Sequence, residues 1–491
     1  MTVSELLQKL RAELEKRSIY DLRQIGRAVG VKRPADMNKE PLIAGILDIA
    51  GRKSDPVPRS TKGAPPKSEV FDREVVALVE QCRNCSGGEE REDGESPEYI
   101  EEEAPAEMGV RSDSEYDDDD EAVYTGVLEF SDKFWFLRTH NFELTSGGDV
   151  FVHTSFVNRF RLREGDFITC KAKRRRENEC PGATYIISVN GVRPDMLNPR
   201  AVFEQLIPCY PVERYTLERR GGTLTDRVID LFSPIGKGQR ALIVSPPKAG
   251  KTTMLKDIAC SITENYPQSE VIVLLIDERP EEVTDIRRTV AGAKVVYSTF
   301  DKGEHHHIHA AQLTLEHAKR LVEAGKDVVI LLDSITRLTR AYNSVTNSGR
   351  MLSGGLDPQA LTEPRKFFGA ARNTEDGGSL TIIATALVDT GSRLDDIIYE
   401  EFKSAGNMEL VLSRELAERR VFPAIDIRAS GARREDLLLS PKELDTACKL
   451  RRLMLGKLSA ENLYSTIAKT QNNAELCERA DEWLKIYNND R

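Results

Sequence analysis

One stretch, ALIVSPPKAGKTTMLKDIA at residues 241–259, constrains the fold more than any other part of the chain. Its apolar start predicts a buried strand, a loop rich in Pro and Gly follows, and Lys251 opens an amphipathic helix. In this layout backbone N–H groups and the positive helix end face an anion. We therefore predict a phosphate-binding loop for ATP, although Ser245 stands where the usual motif begins with glycine. The predicted ATP-binding residues of the loop are Pro247, Lys248, Ala249, Gly250, Lys251, Thr252 and Thr253.

Two acids end apolar runs that predict further buried strands. Asp333 ends VVILLD, where a carboxylate can hold Mg²⁺ through water while the Thr252 hydroxyl binds the ion directly. Glu278 ends IVLLIDE, where it can act as the general base for the water that attacks the γ-phosphate. Asp277 and Arg279 flank it, and we include Arg279 in the ATP site. A plain surface salt bridge among these three residues remains an alternative.

Composition excludes several other classes of protein. The 491 residues allow two to four domains, and the longest apolar runs are far too short to span a membrane. We expect a cytoplasmic protein, because the charged N-terminus has no apolar signal core and eight scattered cysteines do not indicate a disulfide scaffold. The net charge of −10 comes from an acidic segment at residues 86–121, so the remainder is mildly basic.

Changes of pattern along the chain predict five regions. Residues 1–50 read as a helical module, and residues 51–121 as a disordered linker with an acidic insert. Five short strands in residues 122–193 fit an OB-type, cold-shock-like barrel. After a connector at residues 194–222, strands alternate with helices through residues 223–491. This is an α/β pattern that predicts a doubly wound, mostly parallel sheet with a helical C-terminus.

Aromatic residues in the barrel predict a surface for single-stranded RNA. Strand alternation puts Phe134, Phe136 and Arg138 on one face, with Trp135 and Leu137 on the other. Phe151 and Tyr185 could join the first face and make a platform on which bases stack. Basic residues at 171 and 173–176 would form a rim that attracts phosphate. Rings that only fill the barrel core are the alternative.

Other basic residues lie in the C-terminal half. Arg420 and Arg433 belong to the basic stretch ERRVFPAIDIRASGARRED, where arginines can balance phosphate charge, including from a neighbouring subunit. The polar loops 343–357 and 389–396, with Arg350, Arg393 and Lys403 in or beyond them, could grip a polymer backbone. Ordinary surface loops explain them equally well. The histidines at 305–307 and 309 only weakly resemble a metal tract, because adjacent helical residues diverge.

Six longer motifs together resemble the bacterial transcription termination factor Rho family. They are SPPKAGKTT, LLIDERPEEVTD, ILLDSITRLTRAYN, FFGAARNTEDGGSLTIIATALVDTGSRLDD, YEEFKSAGNMEL and RRVFPAIDIRASGARRE. The resemblance covers about residues 123–491, and residues 1–50 are similar to that family's N-terminal module. It implies a homohexameric RecA-like ring that hydrolyses ATP, moves 5′ to 3′ on RNA and releases transcripts from RNA polymerase.

Carried over residue by residue, the resemblance implies roles that match those above. Lys251 and Thr252 would bind phosphate and Mg²⁺, with Asp333 as the metal-side acid and Glu278 as the catalytic base. Arg433 would be an arginine finger and Arg420 a second arginine acting across the subunit boundary. The primary RNA site would comprise Phe134, Phe136, Arg138, Phe151 and Tyr185, and the central RNA path Arg350, Arg393 and Lys403.

Departures from the family pattern leave the base preference of the primary site open. Phe151 stands where a tyrosine is usual, and residues 177–183 match poorly. Two other functions also stay open at this point. A rotary-type ATPase subunit shares the ring fold but would have no use for an aromatic barrel face. An RNA-binding regulator without turnover would not need the Lys251, Glu278 and Asp333 set.

Overall fold

The computed structural model describes most of the chain from residue 121 onward and part of the N-terminal region. The described residues are Leu10, Leu14, Leu22, Ile25, Val31, 39–50, 121–142, 148–174, 180–196, 200–349, 351, 354–455, 458–480 and 482–483. The predicted linker at 51–121, apart from its last residue, therefore lies outside the described residues. No helix in the described ranges is long and apolar enough to cross a membrane.

The chain divides into two compact units, residues 1–113 and 114–491. In the first unit, helix α1 (Lys39–Ala50) contributes Leu42, Ile43 and Ile46 to a buried apolar cluster. Leu10, Leu14, Leu22 and Ile25 complete that cluster from helical positions. The predicted helical module at residues 1–50 agrees with these described residues.

The second unit begins with the predicted five-stranded barrel. Its strands close in the order β1-β2-β3-β5-β4, and helix α2 (Thr154–Phe160) lies between β3 and β4. Their bounds are β1 (Ala122–Ser131), β2 (Phe134–Arg138), β3 (Val150–Val152), β4 (Phe167–Lys173) and β5 (Gly182–Val189).

Strand β2 shows how alternation divides the barrel into an inside and an outside. Leu137 is fully buried in the barrel core, and Trp135 packs against the same core. Phe134 points the other way and is 54% exposed. The predicted separation of Phe134 from Trp135 and Leu137 is confirmed, because successive side chains of a strand point to opposite faces. At Phe134 the alternative of rings that only fill the core is wrong.

A nine-stranded sheet forms the large part of the second unit. Its main path runs β11-β10-β12-β14-β9-β15-β16, with parallel pairing from β11 through β15 as predicted. Strand β13 pairs antiparallel with β14 and β6, and β7 pairs with β8 in a separate ribbon. The strands are β6 (Pro208–Cys209), β7 (Arg214–Tyr215), β8 (Ile235–Gly236), β9 (Arg240–Ser245), β10 (Glu270–Glu278), β11 (Lys294–Thr299), β12 (Val328–Asp333), β13 (Arg372–Thr374), β14 (Ser379–Leu387), β15 (Met408–Val411) and β16 (Gly431–Ala432).

Helices cover both faces of this sheet, so its central strands are apolar on both sides. Leu242 and Ile272 belong to one buried cluster and their neighbours Ile243 and Val273 to the other. The helices are α3 (Leu224–Phe232), α4 (Lys251–Asn265), α5 (Pro280–Thr289), α6 (Glu304–Glu323), α7 (Ile335–Val345), α8 (Thr362–Gly369), α9 (Arg393–Ala405), α10 (Arg414–Glu418), α11 (Pro441–Met454), α12 (Ala460–Ala468) and α13 (Asn473–Glu478). The last three confirm the predicted helical C-terminus where it is described.

The barrel packs directly against the sheet layer. Val127 and Phe142 of the barrel belong to the same buried cluster as the sheet strands. The Asn141 side chain bonds both to the backbone N–H and to the backbone oxygen of Tyr297, at 3.1 and 2.9 Å. This pair of bonds satisfies part of β11, the edge strand of the sheet, whose backbone groups would otherwise lack a partner.

Gly165 marks the closest approach between the barrel and helix α6. Its φ is +89°, and a Cβ atom built there would lie 2.3 Å from the backbone carbon of Glu316. Gly191 has a similar φ of +82°, but a Cβ there would meet nothing within 4 Å. A side chain at either glycine would strain the left-handed backbone, but only a side chain at Gly165 would also clash with its neighbours.

We predict that Gly165→Ala destabilises the protein more than Gly191→Ala, by about 1–3 kcal/mol, the usual cost of overpacking. Both substitutions carry the left-handed strain, so the difference measures the contact with α6. Urea denaturation followed by tryptophan fluorescence provides the comparison. Equal midpoints for the two variants would show that the barrel does not pack this tightly against the helix.

Candidate nucleotide site and nucleic-acid interface

The predicted phosphate-binding loop connects β9 to α4 at the carboxyl edge of the sheet. Lys248 and Gly250 adopt left-handed φ values of 65° and 95°, which turn the chain sharply before the helix starts at Lys251. The hydroxyl of Ser245 donates to the backbone oxygen of Pro246 at 2.9 Å. This hydroxyl is therefore occupied within the loop, and Ser245 itself is buried.

Lys251 lies between two carboxylates supplied by neighbouring parallel strands. Its Nζ atom is 2.8 Å from Glu278 Oε1 and 2.6 Å from Asp333 Oδ1. Burial lowers the pKa of Lys251, but the two carboxylates outweigh burial, so the net shift is upward. One ammonium between two acids leaves the cluster with a net negative charge, suited to a site that also receives a cation.

A bulge in β10 sets the position of Glu278. The register with β11 shifts between Ile276 and Glu278, and Asp277 between them has a φ of 58°. Glu278 is 3% exposed. Burial and the nearby Asp333 raise the pKa of Glu278, and Lys251 only partly offsets them. The raised pKa makes this carboxylate a stronger base than an exposed glutamate.

Asp333 has one oxygen engaged and one free. Its Oδ1 atom accepts from Lys251 and from the Thr385 hydroxyl at 2.8 Å. Its Oδ2 atom is buried and, in the part of the chain that the structure describes, has no hydrogen-bond partner. Such an atom needs a ligand, and carboxylate and hydroxyl oxygens suit Mg²⁺. The Thr252 hydroxyl, 3.4 Å from Glu282 Oε2, is also an oxygen of the kind that binds Mg²⁺.

The remaining predicted loop residues lie at the rim of this cluster. Pro247, Lys248 and Thr253 are exposed, whereas Ala249 is buried. Arg279 is exposed immediately before α5. The fold thus brings the predicted residues Lys251, Glu278 and Asp333 into contact. Arg279, next to Glu278 in the chain, is exposed to solvent.

The sequence prediction missed Arg337 on α7. Its guanidinium is 3.7 Å from Glu278 Oε1 and 3.3 Å from Asp277 Oδ2, and it also donates to the Asp277 backbone oxygen. The signal was present, because Arg337 lies four residues after Asp333 in LLDSITR. Only the fold shows that the start of α7 passes beside the end of β10.

Arg420 and Arg433 are both exposed. Arg433 follows β16, and its backbone N–H donates to Asn407 at 2.7 Å. It lines a surface cavity of about 330 Å³ together with Lys403 and Glu409. Strand β16 lies two strands beyond β9, the strand that leads into the phosphate-binding loop. Arg433 is therefore separated from Lys251 within one chain.

Three phenylalanines meet on the outside of the barrel. Phe151 contacts Phe134 and Phe136 edge-on, with ring centroids 6.0 and 6.2 Å apart. Tyr185 is 59% exposed on β5, the strand next to β3. Exposed aromatic rings on neighbouring strands can each take a base by stacking. The aromatic face is defined as Phe134, Phe136, Phe151 and Tyr185.

Arg138 lies behind this face rather than at its rim. It is 6% exposed, and its guanidinium pairs with Glu129 at 2.5 Å and Asp149 at 2.6 Å. The same group lies 5.3 Å from the Phe136 ring centroid. Its positive charge is largely compensated here, so contact between Arg138 and RNA stays a prediction. Exposed Lys171 remains available at the rim, 3.7 Å from Glu121.

The residues predicted for the central RNA path do not all come together. Arg350 lies outside the described residues. Arg393 begins α9, whereas Lys403 lies in its last turn, about 15 Å further along a helix of this length. Lys403 lies 5.2 Å from the Tyr399 ring and lines the Arg433 cavity. Arg393 and Lys403 are thus separated, because they occupy opposite ends of one helix.

Buried carboxylates hold the two polar loops in place. Asp395 is fully buried and bonds Arg340 at 2.6 Å and the Thr390 hydroxyl at 2.6 Å. Asp357 accepts from the backbone and hydroxyl of Ser348 at 2.8 and 2.6 Å. These bonds anchor the described parts of the two loops.

The histidine tract is not a metal site in the described part of the chain. His307 is buried against Ser298, His309 bonds Glu129, and His305 and His306 are exposed. The described residues contain no cluster of three side chains that could ligate a metal. The sequence also holds one C-x-x-C, a pattern that can bind zinc, at Cys82 and Cys85, and it lies outside the described residues.

Comparison with known proteins agrees with both parts of this site. Residues 226–432 match the profile of the ATP synthase alpha/beta family, nucleotide-binding domain. Residues 124–195 match that of the Rho termination factor, RNA-binding domain. The transcription termination factor Rho of Bacillus subtilis (strain 168) is 53% identical over 368 residues, covering 74% of this chain and 86% of that protein. The Rho of Haemophilus influenzae is 55% identical over 363 residues, covering 72% and 86%.

The fold and the two sites define an ATP-hydrolysing, RNA-binding enzyme of the P-loop class. A rotary-type ATPase subunit does not account for an RNA-binding domain at residues 124–195. The extent of identity with the relatives then narrows the class: the chain belongs to the transcription termination factor Rho family.

We predict that Phe136→Ala weakens RNA binding by about 1–3 kcal/mol, the usual size of a stack between a base and an aromatic ring. Fluorescence anisotropy with labelled oligocytidylate at fixed salt gives the affinity. Phe160→Ala is the matched control, because Phe160 stacks on Phe156 of α2 and lies outside the aromatic face. An unchanged affinity for Phe136→Ala would remove this ring from the RNA site.

Proposed function

We propose that this RNA-dependent ATPase of transcription termination works as a homohexameric ring in the cytoplasm. The ring moves 5′ to 3′ on single-stranded RNA and releases nascent transcripts from RNA polymerase. The observation that carries the proposal is the union, in one compact unit, of an exposed aromatic face with the Lys251, Glu278 and Asp333 cluster. Because both sites lie in one compact unit, RNA binding at one can influence ATP hydrolysis at the other.

ATP and Mg²⁺ would occupy the charged cluster together. Lys251 would exchange its two carboxylates for the outer phosphates, and Thr252 with Asp333 would hold the ion, partly through water. The buried and unpartnered Asp333 Oδ2 supports this arrangement. Bound Mg²⁺ supplies charge neutralisation at the phosphates. Arg279, exposed beside the cluster, is proposed as a further contact with ATP.

Glu278 is the proposed general base. Its burial and its neighbour Asp333 raise its pKa, and departure of Lys251 toward the phosphates would remove the main opposing influence. A carboxylate in this environment accepts a proton from the attacking water more readily. Arg337, 3.7 Å away, can fix the orientation of the carboxylate.

Arg433 and Arg420 are proposed to act on the ATP of a neighbouring subunit. Both are exposed, and Arg433 is separated from Lys251 by the width of the intervening strands. An exposed guanidinium can complete a neighbour's site and stabilise charge that develops on the transferring phosphate. Within a single chain these two arginines would have no phosphate to contact.

RNA is proposed to contact two regions. The aromatic face and Arg138 would form the primary site, in a barrel domain of residues 122–193. Arg350, Arg393 and Lys403 would contact RNA in the centre of the ring, in an ATPase domain of residues 223–491. The connector at 194–222 would join them, and residues 1–50 and 51–121 would remain a helical module and a linker. The anchored loops near Arg393 support the second region.

We predict that pyrimidine-rich single-stranded RNA stimulates ATP hydrolysis and that Glu278→Gln retains ATP binding but loses turnover by about 10²–10⁴-fold. Steady-state phosphate release and binding of a fluorescent ATP analogue separate the two properties. Glu281→Gln, an exposed neighbour, is the control. A wild-type rate near background would favour the RNA-binding regulator without turnover, and undiminished hydrolysis by Glu278→Gln would refute the base.

Arg433→Ala should inactivate a neighbour's site rather than its own. We predict that mixed rings of wild-type and Arg433→Ala subunits lose more RNA-stimulated hydrolysis than the mole fraction of variant. Each variant subunit would disable its neighbour's site, and movement on one RNA strand would couple the sites around the ring. Arg434→Ala is the control, since Arg434 pairs locally with Asp436 at 3.0 Å. A loss that is linear in mole fraction counts against a shared site.

A further inference from the structure

Helix α6 touches both the sheet and the barrel. Ile308, Ala311 and Leu315 belong to the buried cluster on the sheet side. On the barrel side, His317 Nδ1 lies 2.9 Å from the Gly165 backbone oxygen. Near the C-terminal end of the helix, Glu323 pairs with Arg163 at 3.1 Å. A movement of this helix therefore cannot occur without a change in the barrel contacts.

The third barrel contact of α6 is a hydrogen bond between His309 and Glu129. His309 Nε2 is 2.6 Å from Glu129 Oε1, and Glu129 is 7% exposed. The other carboxylate oxygen accepts from Arg138 at 2.5 Å. Burial raises the pKa of Glu129, but the bonds from His309 and Arg138 outweigh it and lower the pKa overall. The carboxylate is therefore ionised, and His309 Nε2 is the donor.

Glu129 connects this bond to the aromatic face. Glu129 and Phe136 are directly paired in the register of β1 and β2. Arg138, bound to Glu129, lies 5.3 Å from the Phe136 ring centroid. A phosphate near Arg138 would change the charge that surrounds Glu129. The Glu129 carboxylate can then form a stronger hydrogen bond with His309.

On its other side α6 reaches the catalytic edge of the sheet. His307, two residues before His309, has Nδ1 2.8 Å from the Ser298 hydroxyl on β11, and both residues are buried. The next residue, Thr299, is the register partner of Glu278. The Phe300 backbone N–H donates to the Glu278 backbone oxygen at 3.1 Å. Only a few contacts thus separate the aromatic face from the proposed base.

We propose that His309 is a positioning residue that couples RNA on the aromatic face to ATP hydrolysis through Glu129 on one side and α6 on the other. RNA phosphate attracts Arg138 away from Glu129, and the hydrogen bond between Glu129 and His309 becomes stronger. Helix α6 shifts as a result. The shift reaches Glu278 through His307 and β11. The proposal rests on the proposed roles of the aromatic face and of Glu278. It adds the residue that links them.

The test uses the full-length protein with His309→Ala, His309→Gln and His306→Ala. His309→Ala removes the donor to Glu129, His309→Gln supplies an amide donor in its place, and His306 is an exposed neighbour on α6. Two quantities are measured for each. They are the affinity for labelled oligocytidylate without nucleotide, and the ATP hydrolysis rate as the RNA concentration is raised.

His309→Ala should bind RNA within about twofold of wild type while its maximal RNA-stimulated rate falls about five- to tenfold, in the range of ordinary coupling energies. The unstimulated rate should not change. His309→Gln should restore stimulation to within about twofold, and His306→Ala should match wild type. A purely structural role for His309 would lower affinity, basal rate and stimulated rate together, and the amide would not restore one of them selectively.

The pair itself is tested by adding Glu129→Gln alone and combined with His309→Ala. If the two residues act through one bond, the double variant loses no more stimulation than the worse single variant. Additive losses, or full stimulation in His309→Ala, would overturn the coupling while leaving RNA-dependent hydrolysis intact. Absence of RNA stimulation in the wild-type protein would instead contradict the proposed function and, with it, the coupling.

Discussion

The ammonium group of Lys251, held between two buried carboxylates, is the interaction on which the rest of the structure depends. The Lys251 cation stabilises the close burial of Glu278 and Asp333, because uncompensated buried charges cost on the order of several kcal/mol each. Their positions follow from parallel strands β9, β10 and β12, whose carboxyl ends meet at one edge of the sheet. ATP would replace a contact that the protein already needs for its own stability.

Helix α6 gives the second constraint, because it belongs to two layers. One of its faces packs in the buried apolar cluster beside the sheet. From the other face, His309, His317 and Glu323 contact the barrel. The left-handed Gly165 allows the barrel backbone to reach it. Charged and polar contacts at this junction join side chains of α6 to the barrel, such as Glu323 with Arg163. Tight packing of this kind transmits displacement instead of absorbing it.

The aromatic face of the barrel lies over an arginine whose positive charge is compensated. Arg138 supports Phe136 from behind, and two carboxylates compensate its charge. In the proposed RNA site, stacking would supply the contact with bases and exposed residues such as Lys171 would attract phosphate. The net charge of −10 does not oppose this proposal, because the excess of acidic residues is concentrated at 86–121.

Much of the architecture was predictable, because it rests on periodicities within short segments. The five barrel strands, the parallel core strands, the phosphate-binding loop and the acids Glu278 and Asp333 all follow from patterns a few residues long. Their meeting at one site was also predictable, since parallel strands end at a common edge. Strand alternation likewise separated Phe134 from Leu137 before any contact was known.

The features that escaped prediction depend on residues far apart in the chain. Alternation placed Arg138 beside Phe136 but could not show that Glu129 and Asp149 bury its charge. The local pattern also could not show that Lys403 lies by the cavity that Arg433 lines, at the other end of α9 from Arg393. The sequence by itself determined the elements and the chemistry of their side chains, because both are local properties. Only the tertiary structure decided which charges are compensated and which residues meet, because burial and neighbourhood arise when distant segments pack.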